Sequence, residues 1–366
     1  MMDIKDFSYL SMAYALAEKA KGQTSPNPYV GAVVVKKDII VGYGYHEGPG
    51  KPHAEAVALQ RAASRSKDST LYTTLEPCVH WGRTPPCVES IIQAGLKRVV
   101  VSSLDPNPLV LKKGIKKLEE AGIEVSVGLL EEKNKGLNEC YYKYITKKIP
   151  FVIGKAAVSL DGKIATKTYS SQWISSPETR EYIHLLRGEY DALLVGIHTL
   201  LKDDPQLSVR HRNWKRKRIT RVILDSRLRF PLQAKILSTL DRGNILVFTS
   251  EKAPKKKADA LQKKGAEVIF LSSSFPFVDL REVLKTLGKR EVASVLVEGG
   301  GRVLTSAIEQ KLVDKIILTI SPKLIGGERA PSLFQGEGAE SIKESLSLKR
   351  INYFRLNEDI ILEGYL

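Results

Sequence analysis

The chain has 366 residues, 43% apolar and 27% charged, which suits two ordinary globular domains better than one core or a disordered tract. No apolar run approaches the roughly 20 residues that span a bilayer. The first residues mix acids and lysines where a signal peptide would be basic and then apolar, so a cytoplasmic protein with no membrane partner is expected. The net charge of +16 fits three things: nucleic acid, phosphorylated small molecules, or a lysine-rich surface. The densest basic run, 210–218, interrupts the pattern between two predicted elements and reads as a solvated loop.

In chain order, apolar periodicity predicts a helix over 5–21 with Leu10, Ala13, Ala17 and Ala20 on one face. Strands follow at 30–35 and 39–45, then a helix beginning near His53. A strand at 70–74 leads into Pro77-Cys78, and a helix covers 86–94. A strand at 98–103, a helix over 112–121 and a strand at 124–127 complete a layered α/β domain. Pro150 breaks a helical stretch, so the expected domains are 1–147 and 148–366. The second domain is also α/β, with strands at 151–158, 192–195, 221–224, 245–249, 267–271, 294–297 and 315–320, and strand-like runs such as 359–362 at the end.

Three cysteines, Cys78, Cys87 and Cys140, an odd count in a chain expected to be cytoplasmic, argue against a disulfide framework. Two of them stand near His53-Ala54-Glu55. One imidazole and two thiolates are three zinc ligands, and three protein ligands leave a fourth position for water, as in catalytic zinc sites. Glu55, two residues after the histidine, reaches that water without being a ligand. It is the expected proton carrier from the water to departing ammonia. Pro77-Cys78 and Pro86-Cys87 are placed at or near helix starts, where the helix dipole favours thiolate. Histidine-x-glutamate with proline-cysteine is the pattern of zinc nucleobase deaminases, but the cysteines here are separated by eight residues instead of two. His80 is the nearest candidate for a fourth, closing ligand.

That inserted stretch, Pro77-Cys-Val-His-Trp-Gly-Arg-Thr-Pro-Pro-Cys87, resembles the bifunctional diaminohydroxyphosphoribosylaminopyrimidine deaminase / 5-amino-6-(5-phosphoribosylamino)uracil reductase family of riboflavin biosynthesis. Ser25-Pro-Asn-Pro28, His46, Pro52-His-Ala-Glu55 and Asp105-Pro-Asn-Pro-Leu109 are similar to the same family, and the resemblance covers essentially the whole chain. One departure is local: Leu111-Lys112 stands where a small residue and a glycine are expected. The resemblance implies a cytidine-deaminase-like N-terminal domain that holds one zinc through His53, Cys78 and Cys87, with Glu55 catalytic. It implies that Asn27, His46, His80 and Arg83 surround the substrate, and an arginine suits a phosphate.

In the second half, glycines in Val297-Glu-Gly-Gly-Gly-Arg302 lie between a predicted strand and a helix, where backbone amides can approach phosphate. The Rossmann glycine pattern is absent. With Ser159-Leu-Asp-Gly-Lys163, Ser171-Gln-Trp173, 191–210 and Asp225-Ser226, this half resembles the family's reductase, whose fold is similar to dihydrofolate reductase. By that resemblance Ala157, Trp173, Thr199, Asp203, Ser226 and the loop Gly300, Gly301, Arg302, Val303, Leu304, Thr305 and Ser306 line an NADPH site. Lys155, Ser171, Arg187, Leu207, Arg210 and Glu298 hold the phosphoribosyl substrate, with Arg187 and Arg210 as phosphate clamps. Hydride would pass to C1′ of the ribose in its ring-opened imine form, and Glu298 or Asp203 would assist proton transfer.

The expected partner is a phosphoribosylated pyrimidine, with no nucleic acid, and the chain is expected to be a homo-oligomer. The competing reading is a zinc deaminase of RNA or another nucleotide, joined to a basic binding module or a degenerate reductase. Against it stand the cysteine spacing and the lack of an RNA-binding motif in the second half.

Overall fold

The computed structural model describes residues 4–82, 85–214, 217–272, 277–298 and 300–366. The chain divides into two compact units, the first closing at Lys148 and the second opening at Ile149.

The first unit comprises α1 (Ile4–Glu18), β1 (Gly31–Lys36), β2 (Ile39–Tyr45), α2 (Ala54–Ala62), β3 (Thr70–Thr73), α3 (Cys87–Gln93), β4 (Arg98–Val101), α4 (Lys113–Glu120), β5 (Glu124–Val127), α5 (Glu131–Leu137) and α6 (Glu139–Lys147). Its five-stranded sheet has the order β2-β1-β3-β4-β5. β1 is antiparallel to β2 and β3, while β3, β4 and β5 run parallel.

Period-two alternation covers both faces of β1. Val33 and Val35 pack with Leu10 and Ala13 of α1, and Ala32 and Val34 pack with Ala58 and Ala62 of α2. Close approach of the helices requires glycine in the strands. A Cβ on Gly31 would strike the Ala13 carbonyl, and one on Gly42 the Ala58 carbonyl.

The second unit comprises β6 (Phe151–Ser159), α7 (Pro177–Glu189), β7 (Ala192–Gly196), α8 (Ile197–Asp203), β8 (Thr220–Leu224), β9 (Ile245–Ser250), α9 (Lys255–Lys263), β10 (Ala266–Leu271), α10 (Leu280–Lys289), β11 (Ser294–Glu298), α11 (Gly301–Glu309), β12 (Lys315–Ser321), β13 (Lys349–Leu356) and β14 (Asp359–Tyr365). One sheet of nine strands has the order β10-β9-β8-β7-β11-β6-β12-β14-β13. From β10 to β12 neighbouring strands run parallel, and β14 and β13 finish the edge antiparallel. Strands buried on both faces read as unbroken apolar runs, as in Leu193-Leu-Val195 and Val295-Leu-Val297.

β13 departs from the sequence expectation, which distinguished only the run after it. Every residue of β13 before Leu356 is exposed, so it carries no burial alternation to detect. The basic run 210–218 has neither helix nor strand among its described residues; Lys215 and Arg216 lie outside them.

The departure at Leu111-Lys112 also has a structural reason. Lys112 sits at φ 60, in the left-handed region, where a glycine carries no Cβ penalty. Its N–H donates to Glu76 Oε2 at 3.0 Å, a bond that any residue can make. Lys112→Gly should therefore raise the stability of the first unit by roughly 0.5–1 kcal/mol, read as a higher midpoint in thermal unfolding.

Candidate functional site

In the first unit, His53 is the extended N-cap of α2, and Glu55 lies in the first turn. The buried face of that helix, Ala54, Ala58 and Ala62, turns Glu55 inward until it is 4% exposed. Cys87 opens α3, whereas Cys78 lies in the loop after β3. His53 Nδ1 is 3.1 Å from Cys87 Sγ and 3.5 Å from Cys78 Sγ, and the three ligand atoms all lie within 4.8 Å of one another. Such separations suit ligands sharing one tetrahedral zinc with bonds of about 2.0–2.3 Å.

Cys78 is not at a helix start, yet its contacts favour the thiolate. Its thiol is lowered to about 4, chiefly by the hydrogen bond with Cys87 and then, against burial, by His53. The backbone N–H of Cys87 also donates to its sulfur, at 3.4 Å. Cys87, although at a helix N-terminus, is pushed up by the same pairing and by burial. A zinc held by His53 Nδ1 and both sulfurs would need the imidazole neutral and both thiols deprotonated. Burial raises the Glu55 carboxyl to about 7.

Two residues expected around the substrate sit beside the cluster. The His46 ring meets the His53 ring edge-on at 5.3 Å. His46 Nδ1 faces the Pro52 carbonyl at 3.2 Å, so Nδ1 carries the proton, and Nε2 accepts from Asn27 Nδ2 at 3.0 Å. His80 stays outside the ligand cluster, and its buried Nδ1 has no hydrogen-bond partner. Arg83 lies outside the described residues.

Sequence reasoning missed Glu76. Its carboxylate accepts backbone N–H groups of Asp105, Lys112, Gly114 and Ile115, tying the loop before Cys78 to the start of α4. Its position directly before Pro77-Cys78 was the available signal.

In the second unit the expected residues gather at the C-terminal ends of parallel strands, where ligands of such sheets bind. β11 pairs with β6 so that Glu298 lies opposite Lys155. Arg187, from α7, forks onto Glu298 through Nε at 2.8 Å and Nη2 at 2.5 Å. Burial acts to raise the Glu298 carboxyl, but Arg187 and then Lys155 bring it below its ordinary value. Lys155 is lowered, chiefly by burial. Arg187, expected at the substrate phosphate, thus stands on the Glu298 carboxylate, with Nη1 turned to His184.

Thr199 and Asp203 lie on α8, with Asp203 exposed at its end. Leu207, at φ 50, and Arg210 follow on a segment that is neither helix nor strand. Ala157 is on β6, Ser171 is half-buried, and Trp173 is 60% exposed with Arg180 stacked 4.5 Å from its ring. Ser226 follows β8 and accepts from the Val278 N–H at 3.0 Å.

Gly299 lies outside the described residues, and Gly300 takes φ 68 as the N-cap of α11. Behind it Leu304 belongs to the core and Thr305 holds the Gln335 N–H at 3.0 Å, while Gly301 has no room for a Cβ beside the Leu333 carbonyl. Arg302, Val303 and Ser306 keep some exposure.

His198 was also missed. It stands beside Arg229, 3.4 Å from its Nη1, and is lowered by burial and by the charges of Arg229 and Arg302. A cavity of about 450 Å³, lined by Gln206, His211, Trp214, Thr239 and Arg242 among others, shares only Arg210 with the expected residues.

Residues 4–103 match the cytidine and deoxycytidylate deaminase zinc-binding region, and residues 150–362 match the RibD C-terminal domain. The riboflavin biosynthesis protein RibD of Aquifex aeolicus is 47% identical over 98% of this chain and 97% of its own. The chain belongs to the RibD family.

The RibD of Bacillus amyloliquefaciens is 42% identical over 97% of this chain and 94% of its own. Among solved structures, Acinetobacter baumannii RibD superposes with a TM-score of 0.88 at 35% identity, covering 99% of this chain and 98% of that one. The Thermotoga maritima diaminohydroxyphosphoribosylaminopyrimidine deaminase / 5-amino-6-(5-phosphoribosylamino)uracil reductase superposes with a TM-score of 0.86 at 35% identity, with the same coverage.

As a RibD this chain is a bifunctional deaminase and reductase of riboflavin biosynthesis, with a cytidine-deaminase-like zinc-binding half and a dihydrofolate-reductase-like half that uses NADPH. No helix among the described residues is long and apolar enough to cross a membrane.

The purified protein should bind one zinc per chain by elemental analysis. Cys78→Ser should lower that occupancy at least tenfold under a competing chelator, because one of the three zinc ligands is lost.

Proposed function

We propose that the first unit, residues 1–147, hydrolytically deaminates 2,5-diamino-6-(5-phosphoribosylamino)pyrimidin-4-one. The second, residues 148–366, then reduces the resulting 5-amino-6-(5-phosphoribosylamino)uracil to its ribityl form with NADPH. The observation that carries this reading is the His53, Cys78 and Cys87 cluster with the buried Glu55 beside it. In it, His53 Nδ1 and the two sulfurs would hold the zinc, which would supply Lewis acidity for activating water near neutral pH.

Glu55 holds and moves the proton. Burial keeps its carboxyl close to neutrality, where it can both take a proton and return it to the leaving ammonia. Asn27 and His46 orient the pyrimidine from the side of His53, with His80 and Arg83 completing the substrate contacts. Glu55→Gln should keep zinc and lose deamination by about 10²–10⁴-fold, as judged by ammonia release beside metal content. A wild-type rate in that variant would remove the proton-carrying role.

In the second unit, NADPH supplies the hydride. The chain's part is to bind, orient and handle a proton. Glu298, held ionised by Arg187, and Lys155, whose ammonium is destabilised by burial, face the same place. They are better placed for proton transfer than the exposed Asp203. Ala157, Trp173, Thr199, Ser226 and the backbone from Gly300 to Ser306 line the cofactor, while Ser171, Leu207 and Arg210 line the phosphoribosyl chain. The cations Arg229 and Arg302, with the imidazole of His198 between them, offer the 2′-phosphate of NADPH its partners.

The reading has no place for nucleic acid or membrane, and it includes self-association into a homo-oligomer. Incubating the protein with the diaminopyrimidine ribonucleotide, with and without NADPH, tests it by product mass: deaminated product alone without the cofactor, and the ribityl product with it.

Gly300→Val should raise the KM for NADPH at least tenfold while sparing zinc content and deamination. A β-branched residue resists φ 68 and covers the amides beneath a phosphate. Loss of deamination with unchanged NADPH kinetics would refute the division of labour.

A further inference from the structure

His184, on the inner side of α7, is surrounded by hydrogen-bond donors. Its Nδ1 lies 3.3 Å from the backbone N–H of Arg210 and 3.3 Å from Arg187 Nη1. Neither donor can become an acceptor, so Nδ1 must be the unprotonated nitrogen. A neutral imidazole with a bare Nδ1 carries its proton on Nε2. Yet Nε2 lies 3.3 Å from Arg210 Nη2, which is also only a donor. Two donors side by side do not satisfy each other; they call for a third group that accepts from both.

The surroundings sharpen this requirement. The groups facing the ring are Arg187 on its own helix, Arg210 and His211 on the segment after α8, and Glu298 at the end of β11. Glu298 is occupied by Arg187. Three nitrogens of Arg187 are engaged, with Nε and Nη2 on Glu298 and Nη1 on His184 and, at 3.5 Å, the Ser208 carbonyl. Among the described residues Arg210 has no carboxylate partner. Burial and the two arginines hold the His184 ring down to about 4, so it stays uncharged near neutral pH and keeps one N–H to give.

We propose that His184 is a binding residue of the reductase half: its Nε2–H and the Arg210 guanidinium together grip one phosphate monoester oxygen of the substrate, while Arg187 serves as the positioning residue for Glu298. This rests on the reading of the second unit as the reductase. It moves the phosphate contact from the Arg187–Arg210 pair to a His184–Arg210 pair, and makes His184 a determinant of selectivity for phosphorylated over unphosphorylated pentosylamines.

Two measurements test it. The first needs no turnover. With only six histidines in the chain, ¹⁵N-histidine spectra of the full-length protein, assigned by loss of one signal in His184→Gln, report the ring's tautomer. The expected result is a neutral ring with Nε2 protonated at pH 7, whose Nε2 signal shifts on titration with ribose 5-phosphate and not with ribose. A ring protonated on Nδ1, or no difference between the two sugars, overturns the proposal even if the reductase reading stands.

The second is kinetic. His184→Phe should raise KM for the phosphoribosylamino substrate, and the inhibition constant of ribose 5-phosphate, about ten- to a hundredfold, as expected for losing a hydrogen bond to a charged group. The KM for NADPH and the thermal midpoint should hold. His184→Gln, which keeps an N–H near the Nε2 position, should recover most of the loss. If kcat collapses with KM unchanged, or if Gln and Phe behave alike, His184 does not bind the phosphate. If the wild-type protein reduces nothing, the reductase reading fails separately, and the tautomer and sugar titrations still decide the site.

Discussion

An ionised group removed from water persists only where neighbours replace its hydration, and each half of this RibD is organised around one such anion. In the first unit it is the thiolate charge of the His53, Cys78 and Cys87 cluster, where contacts with Cys87 and His53 lower the Cys78 thiol. In the second it is the Glu298 carboxylate, forked by Arg187 with Lys155 opposite. Removing a partner from either would leave a buried charge uncompensated, which costs far more than the pair itself contributes.

These anions also set the protonation of what surrounds them. Glu55, enclosed with the thiolate and screened from water, is raised towards neutrality instead of staying a strong anion. Lys155 is pulled down by burial and only partly restored by Glu298. A group poised near its working pH exchanges protons with little driving-force penalty. The same enclosure that makes the anions expensive thus shifts the proton affinity of their neighbours.

Sheet geometry makes the enclosure possible. In the first unit α2 can lie close to the sheet because Gly42 and Gly44 present no side chain to it, and this depth buries Glu55. In the second, parallel strands deliver their C-terminal ends to one edge. The register of β11 on β6 sets Glu298 against Lys155 across a separation of more than a hundred residues in the chain. A slip of one residue would turn Glu298 to the opposite face, away from Arg187.

Much of this was legible in the sequence, because the signals were local. Histidine and cysteines at set spacings announced a metal cluster with a glutamate beside it, and alternating or continuous apolar runs marked strands such as Ile39–Tyr45 and Lys315–Ser321. β13 escaped because it is exposed along nearly its whole length.

What the sequence could not decide were partnerships between distant residues. That Arg187 would fork onto Glu298, that Cys78 would come from a loop to meet His53 and Cys87, and that His184 would stand between two arginines are consequences of tertiary contact. A side chain's type states what it can bind. Only the folded chain, by excluding water and choosing which donors converge, decides what it does bind.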